Sequence, residues 1–353
     1  MASSPSFPDS KRPMDDPMEP LFSHFDARAR NFPAQGPGFS AVVLRQDSVV
    51  YELHRGVSSV ELQVPLNGDT AYYLASESKQ FTAACVWTLI RDGMLSLHDD
   101  VSKHLPELAA FEQPFTVANL LNHSSGIPDY FKYLHAQLGR HEGDYFSNQH
   151  LLRMISCFDE LEFVTGTQHR YSNSNYILLA TLVERLSGRS MQEFATERLF
   201  APRGIKHIQF DADRFSIIPH RAFSYESDGT RPLGLKQLLG NANTVGDGGA
   251  YASTNELIRW ERHWHAEWKA PGSLLRDMLQ PLPLSDGSIP AYRSGLEIGQ
   301  HAGHEYVFHG GGLWGFRTLI LRIPALELSV IHLANHDKAG EDEGILLKLL
   351  CAE

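Results

Sequence analysis

The stretch Ser-Glu-Ser-Lys-Gln-Phe-Thr-Ala-Ala-Cys-Val-Trp-Thr-Leu-Ile-Arg-Asp, residues 76–92, reads as the opening of a helix. Phe81, Ala84, Cys85 and Leu89 recur at helical spacing, and Gly93 stands where a left-handed cap would end the run. Ser76 and Lys79 are three residues apart, which on a helix sets their Cβ atoms about 5–6 Å from each other on one face. That is hydrogen-bond reach for a lysine. A serine hydroxyl needs a base to act as a nucleophile at neutral pH, and a lysine serves if burial or a nearby cation lowers its pKa. The free N–H groups and positive dipole end at a helix start also favour a developing oxyanion. Taken alone, the spacing is also that of a capping serine followed by a solvent-facing lysine.

Outward from this helix the order of elements sets the architecture. Residues 18–32 place Leu21, Phe22, Phe25 and Ala29 at helical spacing, and strand-like runs follow at 39–44 and 48–54 around a turn at 45–47. From about residue 70 to 268 the texture is helical, with runs at 80–92, 117–123, 149–157, 176–186 and 254–268; Gly188 is a second candidate cap. Strands return at 293–298, 306–309, 316–323 and 328–333, and a short helix at 344–350 closes the chain. This order predicts an α+β fold in which terminal strands pair into one mainly antiparallel sheet flanked by the terminal helices. Residues 18–69 and 275–353 would form that sheet domain, and residues 70–274 an inserted, mostly helical one, with the ligand site in the cleft between them. Residues 1–17, rich in Ser, Pro and Asp, are expected to be disordered or loosely attached.

Composition excludes several classes of function. Among 353 residues, 31 Lys+Arg against 42 Asp+Glu give a net charge of −11, which would repel phosphate backbones and anionic lipid, so no nucleic-acid or membrane partner is expected. No apolar run reaches the ~18 residues that span a bilayer, and the opening twenty residues lack a secretory h-region, so the expected location is cytoplasmic. Three widely spaced cysteines fit neither a disulfide framework nor a zinc cluster. His263 and His265, two apart on a helix, would face different ways, which suits ordinary surface histidines better than metal ligands.

Two further segments carry chemistry. Tyr171-Ser172-Asn173 lies before the helix near Tyr176. A phenol beside a lysine can ionise or relay a proton, and an amide two residues on can bond both the lysine and a substrate carbonyl. His309-Gly310-Gly311-Gly312 follows the strand at 306–309; its glycines would let a substrate lie against the strand, with a backbone N–H as an oxyanion donor. The same run spells Gly310-x-Gly312-x-x-Gly315, but a strand follows where a dinucleotide site requires a helix. It also matches the oxyanion loop of α/β-hydrolases, yet the chain holds no G-x-S-x-G elbow.

Ser76-x-x-Lys79, Tyr171-x-Asn173 and His309-x-Gly311, in this order, resemble the three boxes of the serine β-lactamase and penicillin-binding-protein superfamily, and within it class C β-lactamases, DD-peptidases and related esterases. The segments 120–128 (LLNHSSGIP) and 246–254 (GDGGAYAST) resemble two further signatures of that group. The resemblance covers roughly residues 39–335. It implies a β-lactamase-like fold, Ser76 as acylated nucleophile, Lys79 as its proton partner and Tyr171 as proton relay. Asn173 would hold the substrate, His309 would assist at the third wall, and the amides of Ser76 and Gly312 would form the oxyanion hole. No metal or organic cofactor is implied.

The third box departs from the lactamases and DD-peptidases, which usually carry Lys there. His309, mostly neutral at pH 7, gives a substrate carboxylate no full charge to pair with. That resembles the esterases and aminopeptidases of the group, and the missing secretory segment also points away from cell-wall chemistry. The expected activity is hydrolysis of a small ester or amide through a Ser76 acyl-enzyme. An acyltransferase or cyclase using the same acyl-enzyme, a true β-lactamase or DD-peptidase, and a catalytically silent binding protein are the alternatives. His123, Ser124 and Ser125 read as a hydrogen-bonded helix end capped by Gly126. Trp314, Phe316 and Arg317 either shape a substrate pocket or pack within the strand.

Overall fold

The computed structural model describes residues 17–137, 145–213, 215–238, 240 and 242–351, so all but one residue of the segment 1–17 lie outside the described residues. Chain order begins with helix α1 (Glu19–Arg30) and the hairpin β1 (Phe39–Arg45) and β2 (Ser48–Arg55). The helical body follows, with α2 (Lys79–Arg91), α3 (Val117–Leu121), α4 (Asn173–Ser187) and α5 (Thr254–Lys269). Strands β3 (Glu297–His301), β4 (His304–Leu313), β5 (Phe316–Ile323) and β6 (Leu328–Ala334) precede the last helix, α6 (Glu343–Leu350).

The sheet order is β3-β4-β5-β6-β1-β2, antiparallel throughout, so the last strand pairs with the first. Side chains alternate across it. Ala41, Val43, Leu319, Leu321 and Val330 meet Leu21, Phe22, Phe25 and Ala29 of α1 and Leu346 and Leu347 of α6. Val42, Leu44, Ile320 and Ile331 point the other way, into the core shared with α2, α4 and α5. The architecture is therefore α+β, with the expected antiparallel sheet flanked by the terminal helices. Trp314 and Gly315 join β4 to β5 with φ of 48° and 82°, the two left-handed residues of a turn whose twist matches that of the paired strands.

Two strands depart from the sequence reading. The run predicted at 293–298 starts only at Glu297, because the preceding segment turns at Gly295 (φ 77°) against the backbone of α2, where a Cβ would lie 2.6 Å from the Lys79 carbonyl oxygen. The run predicted at 306–309 continues through the glycines to Leu313. The helical body also holds short strands that no local pattern announces, including a three-stranded set of Tyr72–Tyr73, Ala250–Ala252 and Gln209–Phe210. His265 is not a surface residue. It is buried, with Nε2 2.8 Å from Ser329 Oγ and Nδ1 3.0 Å from the Gln46 carbonyl, while His263 Nε2 faces the Arg203 carbonyl at 2.9 Å. Among the described residues no cluster of His, Cys, Asp and Glu could hold a metal ion, and no helix is long and apolar enough to cross a membrane.

A buried ion pair ties the helical body to the sheet. Arg322 on β5 donates from Nε and Nη2 to Glu261 on α5 at 2.8 and 2.6 Å, and from Nη2 to Gln80 Oε1 on α2 at 2.9 Å. Ser329 Oγ donates to the same carboxylate at 2.7 Å, and the Trp264 ring lies 4.9 Å from the guanidinium. Both charged side chains are fully buried, so removing one leaves the other without compensation. Arg322→Ala is expected to cost about 3–5 kcal/mol of stability, read as a lower urea midpoint; a change below about 1 kcal/mol would show that the pair is not held dry.

Candidate active site

The chain enters the site through Ala75, whose φ of 50° lies in the left-handed region. A side-chain-bearing residue adopts that backbone only where its surroundings impose it. A single 3₁₀ turn, Ala75–Ser78, follows and runs directly into α2, so Ser76 stands before the α-helix and Lys79 is its first residue. Neither the 3₁₀ turn nor α2 has a side-chain cap at its N-terminus. The Ser78 hydroxyl instead accepts from the Ala250 N–H at 3.1 Å.

Lys79 is fully buried and its Nζ donates to three oxygens: Ser76 Oγ at 3.0 Å, Asn173 Oδ1 at 2.9 Å and the Asp247 carbonyl at 2.5 Å. Its aim is thus fixed from three directions. Burial pulls its pKa down to about 8, against the raising effect of the Asp247 and Asp129 carboxylates, so a neutral amine is accessible near neutral pH. Tyr171 donates its hydroxyl to Ser76 Oγ at 3.1 Å, and its ring lies 5.0 Å from Lys79 Nζ. Burial raises the Tyr171 phenol well above 10. Of the two parts open to the phenol, ionising or relaying a proton, its burial favours the relay, and the lysine is the group that can give its proton up.

Asn173 begins α4, where Asp129 Oδ2 accepts from both its backbone N–H and its Nδ2, each at 2.9 Å. This pair of bonds orients the amide so that Oδ1 meets Lys79. His309 on β4 is buried, and both ring nitrogens are engaged within the protein. Nδ1 donates to the Gly310 carbonyl at 2.7 Å, which leaves Nε2 to accept from the Tyr292 hydroxyl at 3.1 Å. Burial and the nearby Lys79 charge push His309 down to about 3, so the ring is neutral at pH 7.

The glycines of β4 serve a closer approach than sequence suggests. A Cβ on Gly311 would fall 2.3 Å from the Leu74 carbonyl oxygen and 3.1 Å from Ser76 N, so only glycine lets β4 press against the turn that carries Ser76. Gly312 follows, paired with Arg317 on β5. Thus Ser76, Lys79, Tyr171 and Asn173 form one hydrogen-bonded set, with Gly311 against it and His309 6.3 Å from the Tyr171 ring by centroid distance.

Two neighbours, His123 and Asp247, lie within the segments that resemble further signatures of the superfamily, but the motifs give neither a part in the site. Asp247 sits in the segment 246–254, and its Oδ2 accepts from the Tyr130 hydroxyl at 2.6 Å. His123 packs its ring 4.4 Å from Tyr171 and 4.5 Å from Tyr292 by centroid distance. Its Nδ1 accepts from Asn175 Nδ2 at 3.0 Å and from the Ser172 N–H at 3.3 Å, which puts its proton on Nε2. The helix-end reading of this segment is also corrected. Helix α3 stops at Leu121, five residues before Gly126, and His123 itself takes the left-handed backbone (φ 57°). Gly126 is required instead because a Cβ there would lie 2.4 Å from the Phe163 carbonyl oxygen. Ser124 and Ser125 donate to Asn122 Oδ1 and Asn175 Oδ1, each at 2.6 Å.

The sequence profile of the Beta-lactamase family matches residues 25–350. The chain belongs to the Beta-lactamase family. It is 30% identical over 322 residues to a D-aminopeptidase of Gluconobacter oxydans (strain 621H) and 28% identical over 322 residues to a D-aminopeptidase of Brucella anthropi. These matches cover 90% and 91% of this chain but 60% of each relative, so the chain spans about three-fifths of the length of those curated relatives. Among solved structures of the fold, the octameric penicillin-binding protein homologue from Pyrococcus abyssi superposes with a TM-score of 0.80 at 25% identity, covering 96% of this chain and 77% of that one. A D-stereospecific amidohydrolase from Streptomyces shares the fold with a TM-score of 0.71 at 21% identity, covering 96% and 98%.

Proposed function

We propose that the protein is a serine hydrolase that cleaves a small amide or ester through an acyl-enzyme on Ser76. The observation that carries this reading is the position of Ser76 Oγ, 3.0 Å from an amine with a depressed pKa and 3.1 Å from a phenol that keeps its proton. Neutral Lys79 takes the Ser76 proton as Oγ attacks the substrate carbonyl. Two amides suit the oxyanion. Ser76 N–H lies in the first turn of its 3₁₀ segment, where backbone donors have no partner within the helix. Strand β3 covers β4 only as far as Phe308, and the Leu313/Phe316 pair closes a two-residue turn, so alternation along the ladder aims Gly312 N–H at the open edge. The proton on Lys79 returns through the Tyr171 hydroxyl to the leaving group, and water, activated by the same pair, releases the acid. Asn173, held by Asp129, keeps one N–H of its amide for the substrate carbonyl.

For the substrate class we infer an amide or ester of a D-amino acid. The relatives that match along nine-tenths of this chain are named D-aminopeptidases, and a neutral His309 in the third box removes the cation that would attract a carboxylate at that wall. Fluorophosphonate should label the protein on Ser76, as located by peptide mass spectrometry. D-alanine p-nitroanilide should be cleaved faster than its L enantiomer, and short nitrophenyl esters faster than a chromogenic cephalosporin. Labelling of another serine would overturn the site, and efficient cephalosporin turnover would replace the amidase reading with a lactamase.

A further inference from the structure

We propose that Asp247 is a positioning residue that, through a locked glycine turn, sets both the aim and the charge of the Lys79 amine; this rests on the reading of Lys79 as the base for Ser76. The turn Gly246-Asp247-Gly248-Gly249 has little freedom. A Cβ on Gly246 would lie 2.3 Å from the Tyr176 carbonyl oxygen, one on Gly248 2.6 Å from the Tyr73 hydroxyl, and one on Gly249 2.5 Å from the Thr244 carbonyl oxygen. Gly246 and Gly249 also take φ of 117° and 90°. Held in this way, Asp247 presents its backbone carbonyl to Lys79 Nζ at 2.5 Å.

Its side chain is buried behind that contact. One carboxylate oxygen accepts from Tyr130 at 2.6 Å, and the other, Oδ1, is buried with no hydrogen-bond partner. A carboxylate with one oxygen unpaired and water excluded acts on the nearest cation with little screening. The cation that Asp247 acts on is Lys79.

The groups around the amine are few. Asp129 is the second carboxylate, from the loop before Tyr130. Tyr171 and Tyr176 turn their rings to Nζ at 5.0 and 5.7 Å. Tyr73 lies beside Asp247, and its phenol is raised well above 10 and so uncharged. His123 and His309 are held below 6.5 by burial and by Lys79, and Glu77 on the nucleophile turn directs its carboxylate to Ile320 N–H and Gln80. Asp247 and Asp129 therefore supply the negative charge that Lys79 feels.

The sign follows from this arrangement. A carboxylate beside the ammonium holds its proton on, so replacing it with the isosteric amide lets Lys79 lose its proton at lower pH. The experiment follows the rate of Ser76 labelling by fluorophosphonate against pH, which needs no knowledge of the substrate. In the unmodified protein the rate should rise with pH to a plateau, with a midpoint near the Lys79 pKa of about 8. Asp247→Asn should move that midpoint down by about one pH unit, since an opposite charge at this range shifts a pKa by about 1–3 units. Tyr130→Phe, which keeps the ring and strips the carboxylate of its side-chain hydrogen bond, should move the midpoint the other way, up, because the less screened charge holds the ammonium harder, and it stands in if the first variant does not fold. A midpoint unmoved in the folded variants, with any loss confined to the plateau, would overturn the proposal and leave Asp247 a structural residue. Failure of the unmodified protein to label at Ser76 at any pH would instead remove the hydrolase reading on which the proposal rests.

Discussion

Ser76→Ala is expected to lower turnover of any amide or ester substrate by roughly 10⁴ to 10⁶-fold, as loss of a nucleophile does where the other groups of a site act only through it. Lys79 and Tyr171 both converge on Ser76 Oγ, and without that oxygen neither the amine nor the phenol has a nucleophile to serve. The fold should be unaffected. Serine to alanine removes one oxygen and adds no atom, so a methyl group fits wherever the hydroxymethyl did. The measurement is kcat/KM on a nitrophenyl ester alongside thermal unfolding. A variant that keeps more than about one-hundredth of the activity would assign acyl transfer to another residue.

Tyr171→Phe is expected to reduce kcat by at least ~10²-fold with little change in Tm. The ring packs against His123 at 4.4 Å and against Lys79, and phenylalanine retains both contacts. Only the proton path is lost. Because burial keeps the phenol protonated, its part is to donate to Ser76 Oγ and then to the leaving group, and a phenyl ring does neither. The effect should be larger for p-nitroanilides than for nitrophenyl esters, since an anilide nitrogen must be protonated to leave and a nitrophenolate need not be. Equal losses on the two substrates would place Tyr171 in packing or in nucleophile activation alone.

The terminal hairpin, the helix after Ser76 and the strands at 316–323 and 328–334 were legible because each has a period of its own, two or 3.6, set by which face meets the core. Ser76, Lys79, Tyr171 and Asn173 were legible because their spacing within two short motifs is itself the chemistry. Asp129, Asp247, His123 and Tyr292 were not. They reach the site from separate loops, and each bears on it by what tertiary packing sets beside it: an amide for Asp129, a carbonyl aimed at an amine for Asp247, and aromatic rings for the other two. The glycine run of β4 signals a surface without side chains, but what lies against it is the backbone at Leu74 and Ser76, more than 230 residues upstream. No window along the chain contains both halves of that contact.

The pairing of β1 with β6 and the seating of Gly311 on the nucleophile turn have a consequence for how the molecule is made. Both join segments separated by most of the chain, so the loop-closure entropy is spent before those contacts repay it, and contact order of this kind slows folding. During synthesis β1 and β2 emerge early with one edge of the hairpin unpaired until β6 arrives, a template for association between nascent chains. The nucleophile turn is likewise incomplete until β4 docks. Completion of the site is then among the last events in folding, and the return of fluorophosphonate labelling at Ser76 after dilution from denaturant should report closure of the sheet rather than formation of the helices.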